Sequence, residues 1–480
     1  MIGQGQDDGH DRAAGGRSRA GYLLALVPAA MLAVLLLRKV WDVDIFWQLK
    51  LGEMILERGG PVQGEPFAAL HLGEPLPAVA WAGQAILALA RRVGGWELLR
   101  LVDALCWVGG FWAVAAACRL RGAPALAVAL ALGLSVLPAL PAASVRPQSF
   151  ACLCFGLLLA LRRLELRPAP TIGLGAILLV AWQNLHPSVT VGIAAMGLAA
   201  LPGWFAWLRD RRRAVPLVPT ALALAGLAAV FLTPDGVGIL PVSARNAEAS
   251  MAIGASEWLP LWIPANHTNA LPVLAVGLVA VWLAMRRPSR VDAAELAVFL
   301  GLLVMTVAAY RFVLFWAVAM VPVVARAAGG ARRVPPERAH VALMLSCVGL
   351  VAALSPVVFP TRFSPGLPLA AVARLKQEGV RGTVYGDFPF GGVIIDTGYP
   401  AWRVAYDGRY YRYSRQEWQY NGGIENGIVP LVDVERKWRP AAFVLDSRHN
   451  APLAGELSRS PSWRRIFAAD GVVVYVPERR

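Results

Sequence analysis

A bundle of about eleven membrane-spanning helices followed by one small water-soluble α/β domain is the architecture the sequence predicts. Three observations predict it. The 480 residues are 57% apolar and only 16% charged, against roughly 45–50% and about 25% in soluble domains. Apolar runs recur along the chain to about residue 360, separated in alternation by short arginine-rich segments. From Thr361 onward the runs shorten, and Gly, Tyr and charged residues rise.

The elements follow in order. Residues 1–20 form a polar, Gly-rich tail with Arg12, Arg17 and Arg19 close to the first apolar run. That run ends in Arg38-Lys39-Val40-Trp41 without a small-residue cleavage site, so it reads as an uncleaved anchor. The apolar runs are 21–37, 96–118, 123–141, 148–161, 170–185, 188–208, 215–233, 270–285, 293–309, 312–326 and 339–358. Arg119 and Arg121, then Arg162, Arg163 and Arg167, then Arg209 to Arg213 fall in alternate loops. Arg286, Arg287 and Arg290, then Arg326, Arg332, Arg333 and Arg338 continue the alternation. The positive-inside bias then places the N-terminus in the cytoplasm. The membrane domain is 21–359, with a first outer loop at 38–95, and 360–480 is an extracytoplasmic soluble domain. Trp81 to Val93 is apolar but short and ends in Arg91-Arg92. A crossing there would turn every later arginine cluster outward, so it reads as an interfacial or re-entrant helix within the first outer loop.

In the soluble domain, Leu367 to Glu378 has helical periodicity and stops at Gly379. Residues 383–388, 403–406, 441–445 and 472–476 read as strands, so strand and helix patterns alternate as in a small α/β domain.

The net charge of +15 does not indicate nucleic acid, because the arginines sit in short loops and form no basic-aromatic platform. All five cysteines, Cys106, Cys118, Cys152, Cys154 and Cys347, fall in apolar runs, which supports neither a disulfide framework nor a thiolate metal site. Cys152 and Cys154 read as lipid-facing or packed small residues.

Polar residues gather at the predicted outer ends of the helices, where ionisable groups near hydrocarbon are costly and read as functional. The first outer loop carries Asp42 and Asp44 just before a helix that ends at Gly59-Gly60-Pro61. In extended backbone an i,i+2 pair points both carboxylates one way, which suits a shared ligand or a divalent cation such as Mg or Mn. The alternative is that Asp44 is the N-cap of the helix and Asp42 its solvated neighbour. Trp41, Phe46 and Trp47 read as interfacial anchors. Arg146, with Gln148 beside it, either neutralises a lipid phosphate or pairs with a nearby carboxylate. His186, next to Asn184, binds phosphate, moves a proton, or is structural. Asp235 lies in a Pro-Asp-Gly turn and needs no function. Glu257 and Arg311 interrupt apolar surroundings and either line a site or pair with each other.

The stretch from Trp41 to Trp81 resembles the first outer loop of bacterial membrane glycosyltransferases of the GT-C superfamily. The matching pieces are Asp42-x-Asp44-x-x-Trp47, Gly52-Glu53, Gly59, Pro61, Glu65-Pro66-Phe67, and Trp81 with Gln84. Arg146-Pro147-Gln148, Asn184-Leu185-His186, Glu257-Trp258, Gly391-Gly392 and Asp407-Gly408-Arg409 are similar to patterns of one branch of that superfamily. That branch shows Asp-Pro-Phe where this chain has Glu65-Pro66-Phe67, and Asn-Leu-His-Gly where it has His186-Pro187. The resemblance implies an inverting enzyme of the bacterial inner membrane that uses a polyprenyl-phosphate sugar. The acceptor would be a glycan, lipid or protein. Asp44 would act as general base, with Asp42 orienting it or holding a metal. Arg146 and Arg311 would contact phosphate, and Gln148, Asn184, His186 and Glu257 would line the pocket. Asp387, Gly391, Gly392 and the Asp407-Gly408-Arg409 turn would contact an acceptor, or else form a lid without chemistry. Two other readings stand beside this one: a non-catalytic scaffold of envelope assembly, and a transporter or flippase of lipid-linked substrates. Transporters favour internal repeats and polar groups at the membrane midplane. No repeat is visible here, and the polar residues lie at helix ends.

Overall fold

The computed structural model describes residues 7–329 and 337–478, with side chains from Arg19 onward. Arg332 and Arg333, and the side chains of Arg12 and Arg17, lie outside the described residues. The chain forms two compact units, one of residues 1–38, 96–232 and 256–360, the other of 39–95, 233–255 and 361–480.

The first unit is helical. Every apolar run of the sequence lies in a helix: Asp7–Leu36, the second part of Trp81–Leu120, Ala125–Ala139, Gln148–Arg163, Pro168–Leu185, Val189–Arg209, Leu217–Ala229, His267–Arg286, Ala293–Ala308, Val313–Ala328 and Arg338–Val358. Among the described residues, seven helices are long and apolar enough to cross a membrane. Leu217–Ala229 and Ala293–Ala308 are shorter, covering about 20–24 Å at 1.5 Å per residue against roughly 30 Å of hydrocarbon.

Trp81–Leu120 breaks at Gly94 (φ −140°) and Gly95 (φ 64°), so 81–93 and 96–120 are separate helical pieces. A positive φ costs a glycine nothing, which is why the break falls there.

Val313–Ala328 is the core helix. It is apolar all round and almost every residue on it is buried, Trp316 completely. The helices 96–120 and Gln148–Arg163 meet backbone to backbone. A Cβ on Gly110 would lie 2.3 Å from the Cys152 carbonyl oxygen, and one on Gly156 would lie 2.0 Å from that of Gly110. Small residues at such crossings are how helices gain packing where lipid offers no hydrophobic drive. Cys152 and Cys154 are thus packed and buried, not lipid-facing.

The two ends of this unit differ in chemistry. At one end the basic loops meet: Arg121 pairs with Glu165, Arg162 with Asp292 (3.0 Å), Arg163 and Arg326 with Glu295 (3.4 and 3.3 Å). At the other, Arg38 pairs with Asp103 (3.1 Å), Arg146 with Glu257 (2.8 Å), and Arg100 donates to the carbonyls of Leu36 and Phe359. Alternate loops therefore come to alternate ends.

The second unit contains a five-stranded mixed sheet. Its strands are β1 (Gly382–Gly386), β2 (Trp402–Val404), β3 (Ala442–Asp446), β4 (Trp463–Ala469) and β5 (Val472–Pro477), in the order β2-β1-β3-β5-β4. β1 runs parallel to β2 and β3, whereas β3, β5 and β4 pair antiparallel. Helix Leu369–Gln377 ends at Gly379 with φ 68°, as the sequence predicts. The sequence reading contains no counterpart of β4. This strand is partly exposed, carries Arg464 and Arg465, and shifts register between Arg465 and Phe467, so it has no clean alternation.

The sheet binds the 39–95 segment as an added edge. Ala68 bridges Val404 in parallel, with Val404 N–H donating to Phe67 O and Ala69 N–H to Val404 O, both 2.9 Å. Val40 likewise bridges Phe363. Asp235 accepts the Ala78 N–H at 2.7 Å, so its turn has a structural task.

Arg409 closes this unit. Its guanidinium is fully buried and donates to both oxygens of Glu65 (2.7 and 2.8 Å) and both of Asp407 (2.9 and 2.6 Å). Glu65 also accepts the N–H groups of Phe67 and Ala68, and Asp407 accepts the Tyr413 hydroxyl. Asp407 and Arg409 of the Asp407-Gly408-Arg409 turn are therefore interior and paired within the unit. Arg409→Gln leaves two buried carboxylates without their cation, which costs about 3–5 kcal/mol. A fall of the unfolding temperature in detergent, larger than that of the exposed-site variant Arg436→Gln, is the expected result.

Candidate active-site residues

Asp42 is buried and Asp44 half-buried. Between them Val43 has φ −77° and ψ −23°, helical and not extended, so the strand-like geometry expected for the pair is not what forms. Instead the Asp44 N–H donates to Asp42 Oδ1 (2.9 Å), and Asp44 is the first residue of helix Asp44–Arg58. The cap position is Val43, so Asp44 is not the N-cap. Its carboxylate lies at the positive end of the helix dipole. Oδ1 of Asp44 accepts the indole N–H of Trp47 at 3.0 Å. Trp47 and Phe46 are buried, and only Trp41 is exposed as an interfacial anchor would be. The helix face that carries them packs inward.

Three glycines explain how this segment is held. A Cβ on Gly408 would lie 2.2 Å from Asp44 Oδ1, and one on Gly392 would lie 2.3 Å from the Val43 carbonyl oxygen. A Cβ on Gly391 would lie 2.6 Å from the Tyr406 carbonyl oxygen. The Gly391-Gly392 pair is buried; Gly392 packs closely on the aspartate segment and Gly391 on the Tyr406–Asp407 backbone. Sequence reading found these residues but not this packing, because a glycine's need for space is invisible until the neighbour is known.

In the helical unit, Arg146 donates from Nη2 to Glu257 (2.8 Å) and from Nε to Gln148 (3.0 Å). Arg311 lies 3.6 Å above the Trp258 ring. Glu257 thus forms its ion pair with Arg146, while Arg311 also acts on it through charge. Burial alone would push the Glu257 carboxyl up. Arg146 and Arg311 outweigh it and hold the group at about 2. His186 is driven down to about 3, by burial first and then by Arg311 and Arg146, so it is neutral at physiological pH. Its Nδ1 faces the Ser188 hydroxyl at 2.8 Å. Two guanidiniums, one carboxylate and a neutral imidazole leave this cluster with net positive charge, suited to a phosphate. Asn184 donates to the carbonyls of Val180 and Leu232, tying two chain segments.

Arg38, Arg100 and Asp103 belong to the same end, and Arg100 and Asp103 are absent from the sequence reading. Arg100 and Asp103 are buried in the run 96–118, treated there as simply apolar. Charges interrupting that run were the available signal.

Among the described residues, one group of three could converge on a cation: Asp387, Glu425 and His449, with ligand atoms within 4.8 Å of one another. Asp387 follows β1 and His449 follows β3, so they meet past the carboxyl ends of adjacent parallel strands. His449 Nδ1 is 2.9 Å from Asp387 and Nε2 is 3.4 Å from Glu425. Only Asp387 was named from sequence, since the three are far apart in the chain.

No family model matches the sequence, and the search of curated proteins found no match. Solved structures do match. The Archaeoglobus fulgidus oligosaccharyltransferase tethered to an acceptor peptide aligns over 96% of this chain and 74% of its own, at 11% identity and TM-score 0.56. The archaeal oligosaccharyltransferase AglB from Archaeoglobus fulgidus with an inhibitory peptide and a dolichol-phosphate aligns over 95% and 74%, at 13% identity and TM-score 0.55. The arabinofuranosyltransferase AftD from Mycobacteria aligns over 95% of this chain but 41% of its own, at 15% identity and TM-score 0.52. The fold is that of the GT-C superfamily.

The hydrogen bonds to Asp387 and Glu425 raise the His449 imidazole to about 10, above its usual 6.5. A raised pKa contributes stability that is complete below about 6.5 and is lost as pH rises through about 10. The unfolding temperature of the full chain is expected to fall across that window, and less steeply in His449→Gln.

Proposed function

We propose that this protein, which has the GT-C fold, is a membrane glycosyltransferase that moves a sugar from a polyprenyl-phosphate donor to an acceptor hydroxyl. The observation that carries the reading is the likeness over nearly the whole chain to two transferases with different substrates. One of these was solved with a dolichol-phosphate, the other is named for arabinofuranosyl transfer. In the proposed step, Asp44 takes the acceptor proton as the acceptor oxygen attacks the anomeric carbon. The bond from that carbon to the phosphate oxygen breaks with inversion, and the polyprenyl phosphate leaves with its charge met by Arg146 and Arg311. His186 and Glu257, with Gln148 and Asn184, shape the positive cluster that receives it.

The supports are local. Asp44 is oriented by Trp47, by the Asp42 carboxylate under its N–H, and by the absence of a side chain on Gly408. A divalent cation at Asp42 and Asp44 would rest on the carboxylate chemistry alone, since the helical backbone at Val43 does not aim the two together as an extended pair would. Such a cation would neutralise charge on the leaving phosphate. The proposed orientation puts the basic-loop end in the cytoplasm. The same orientation, in this reading, makes residues 360–480 an extracytoplasmic soluble domain.

The test uses full-length protein in nanodiscs with a panel of radiolabelled polyprenyl-phosphate sugars. Wild type is expected to release or transfer sugar, and Asp44→Asn to lose about 10²–10⁴-fold in rate. Turnover unaffected by the substitution would remove Asp44 as base. Donor binding without turnover in wild type would turn the reading toward a scaffold.

A further inference from the structure

At the basic-loop end of the helical unit, away from the Arg146–Glu257 cluster, an apolar groove of about 250 Å³ runs between helices Asp7–Leu36, 96–120 and Arg338–Val358. Its walls are Leu24, Ala25, Trp112, Ala116 and Met344, and its rim holds Arg119 and His340. From Trp112 to Leu120 it follows about 12 Å of helix, most of the depth of one leaflet of a roughly 30 Å core. Helix Arg338–Val358 buries only His340 and Ser355, so the flank beside the groove stands open. These helices are long and apolar enough to span the bilayer, and what fills a groove on their outer side is lipid.

The rim selects the headgroup. His340 is buried, yet its Nε2 has no hydrogen-bond partner among the described residues; Glu337 lies 3.8 Å away. A buried ring nitrogen left unbonded carries a desolvation cost that a ligand oxygen would remove. The ring is held in place by Gly21, where a Cβ would lie 2.2 Å from Cε1, and by the edge of Tyr22, 4.6 Å between centroids. Arg119 is also buried and donates to the Ala123 carbonyl, which aims its guanidinium. Such a fork carries further N–H donors suited to a phosphate.

We propose that this groove binds one anionic phospholipid, with an acyl chain along Trp112–Leu120 and the phosphate on Arg119 and His340. The site is separate from the glycosyltransferase reading and stands or falls without it. Native mass spectrometry of the full-length protein, offered equal phosphatidylglycerol and phosphatidylcholine of identical chains, tests it. Wild type is expected to retain the anionic lipid in preference, by about fivefold for the arginine at the rim. Arg119→Gln should lower that preference about fivefold, and His340→Gln, which removes the ring nitrogen offered to the phosphate, should lower it as well. Ala116→Phe, which fills the groove, should reduce retention of both lipids. Arg211→Gln, which removes an exposed arginine stacked on Trp207, should change nothing. Equal retention of the two lipids by wild type overturns the site. So does a preference that survives both rim substitutions, or one that Arg211→Gln lowers as much.

Discussion

The second unit is organised around one buried cation. Arg409 engages four carboxylate oxygens, two from Glu65 in the 39–95 segment and two from Asp407 in the C-terminal segment. Taking three charges out of water is costly, and only a complete set of partners offsets it. That requirement fixes where the segment can lie. Once Glu65 is on Arg409, Phe67 and Ala68 are presented to the edge of β2 and Gly408 comes against Asp44. The position of the aspartate segment follows from a salt bridge far from it in sequence.

The glycines complete that constraint. Gly391, Gly392 and Gly408 each admit a neighbour closer than any side chain would allow, and two of those neighbours belong to the Asp42–Asp44 segment. Such close approach of backbone holds the Asp42–Asp44 segment more tightly than side-chain contact would.

The helical unit solves a different problem. Its charges are sorted to its two ends, because an ion in the hydrocarbon is costly unless paired. At one end Arg162, Arg163 and Arg326 surround the two carboxylates of Asp292 and Glu295. At the other, Arg146 and Arg311 share Glu257, which leaves uncompensated positive charge. What differs there is the arrangement: Arg146 pairs with Glu257, while Arg311 lies on the Trp258 ring.

Much of this was legible in the sequence. Lipid imposes apolar runs of a minimum length, so the helices and the alternation of basic loops could be read directly. Strands with clean alternation were legible as well, whereas β4, broken by Arg464 and Arg465, was not. The residues of the positive cluster stood out because each interrupts apolar surroundings. Their pairing did not: Glu257 chose Arg146, and Arg311 chose the face of Trp258. Asp103 and Arg100 were hidden inside a run whose average hydropathy masked them. The sequence alone determined which segments are helical and where charge is concentrated, because solvation depends on composition over short windows. Tertiary structure alone decided that Arg409 is interior, that three glycines are clearances and that Asp387, Glu425 and His449 meet. Those facts depend on which distant backbone occupies the adjoining space, and no local pattern encodes that.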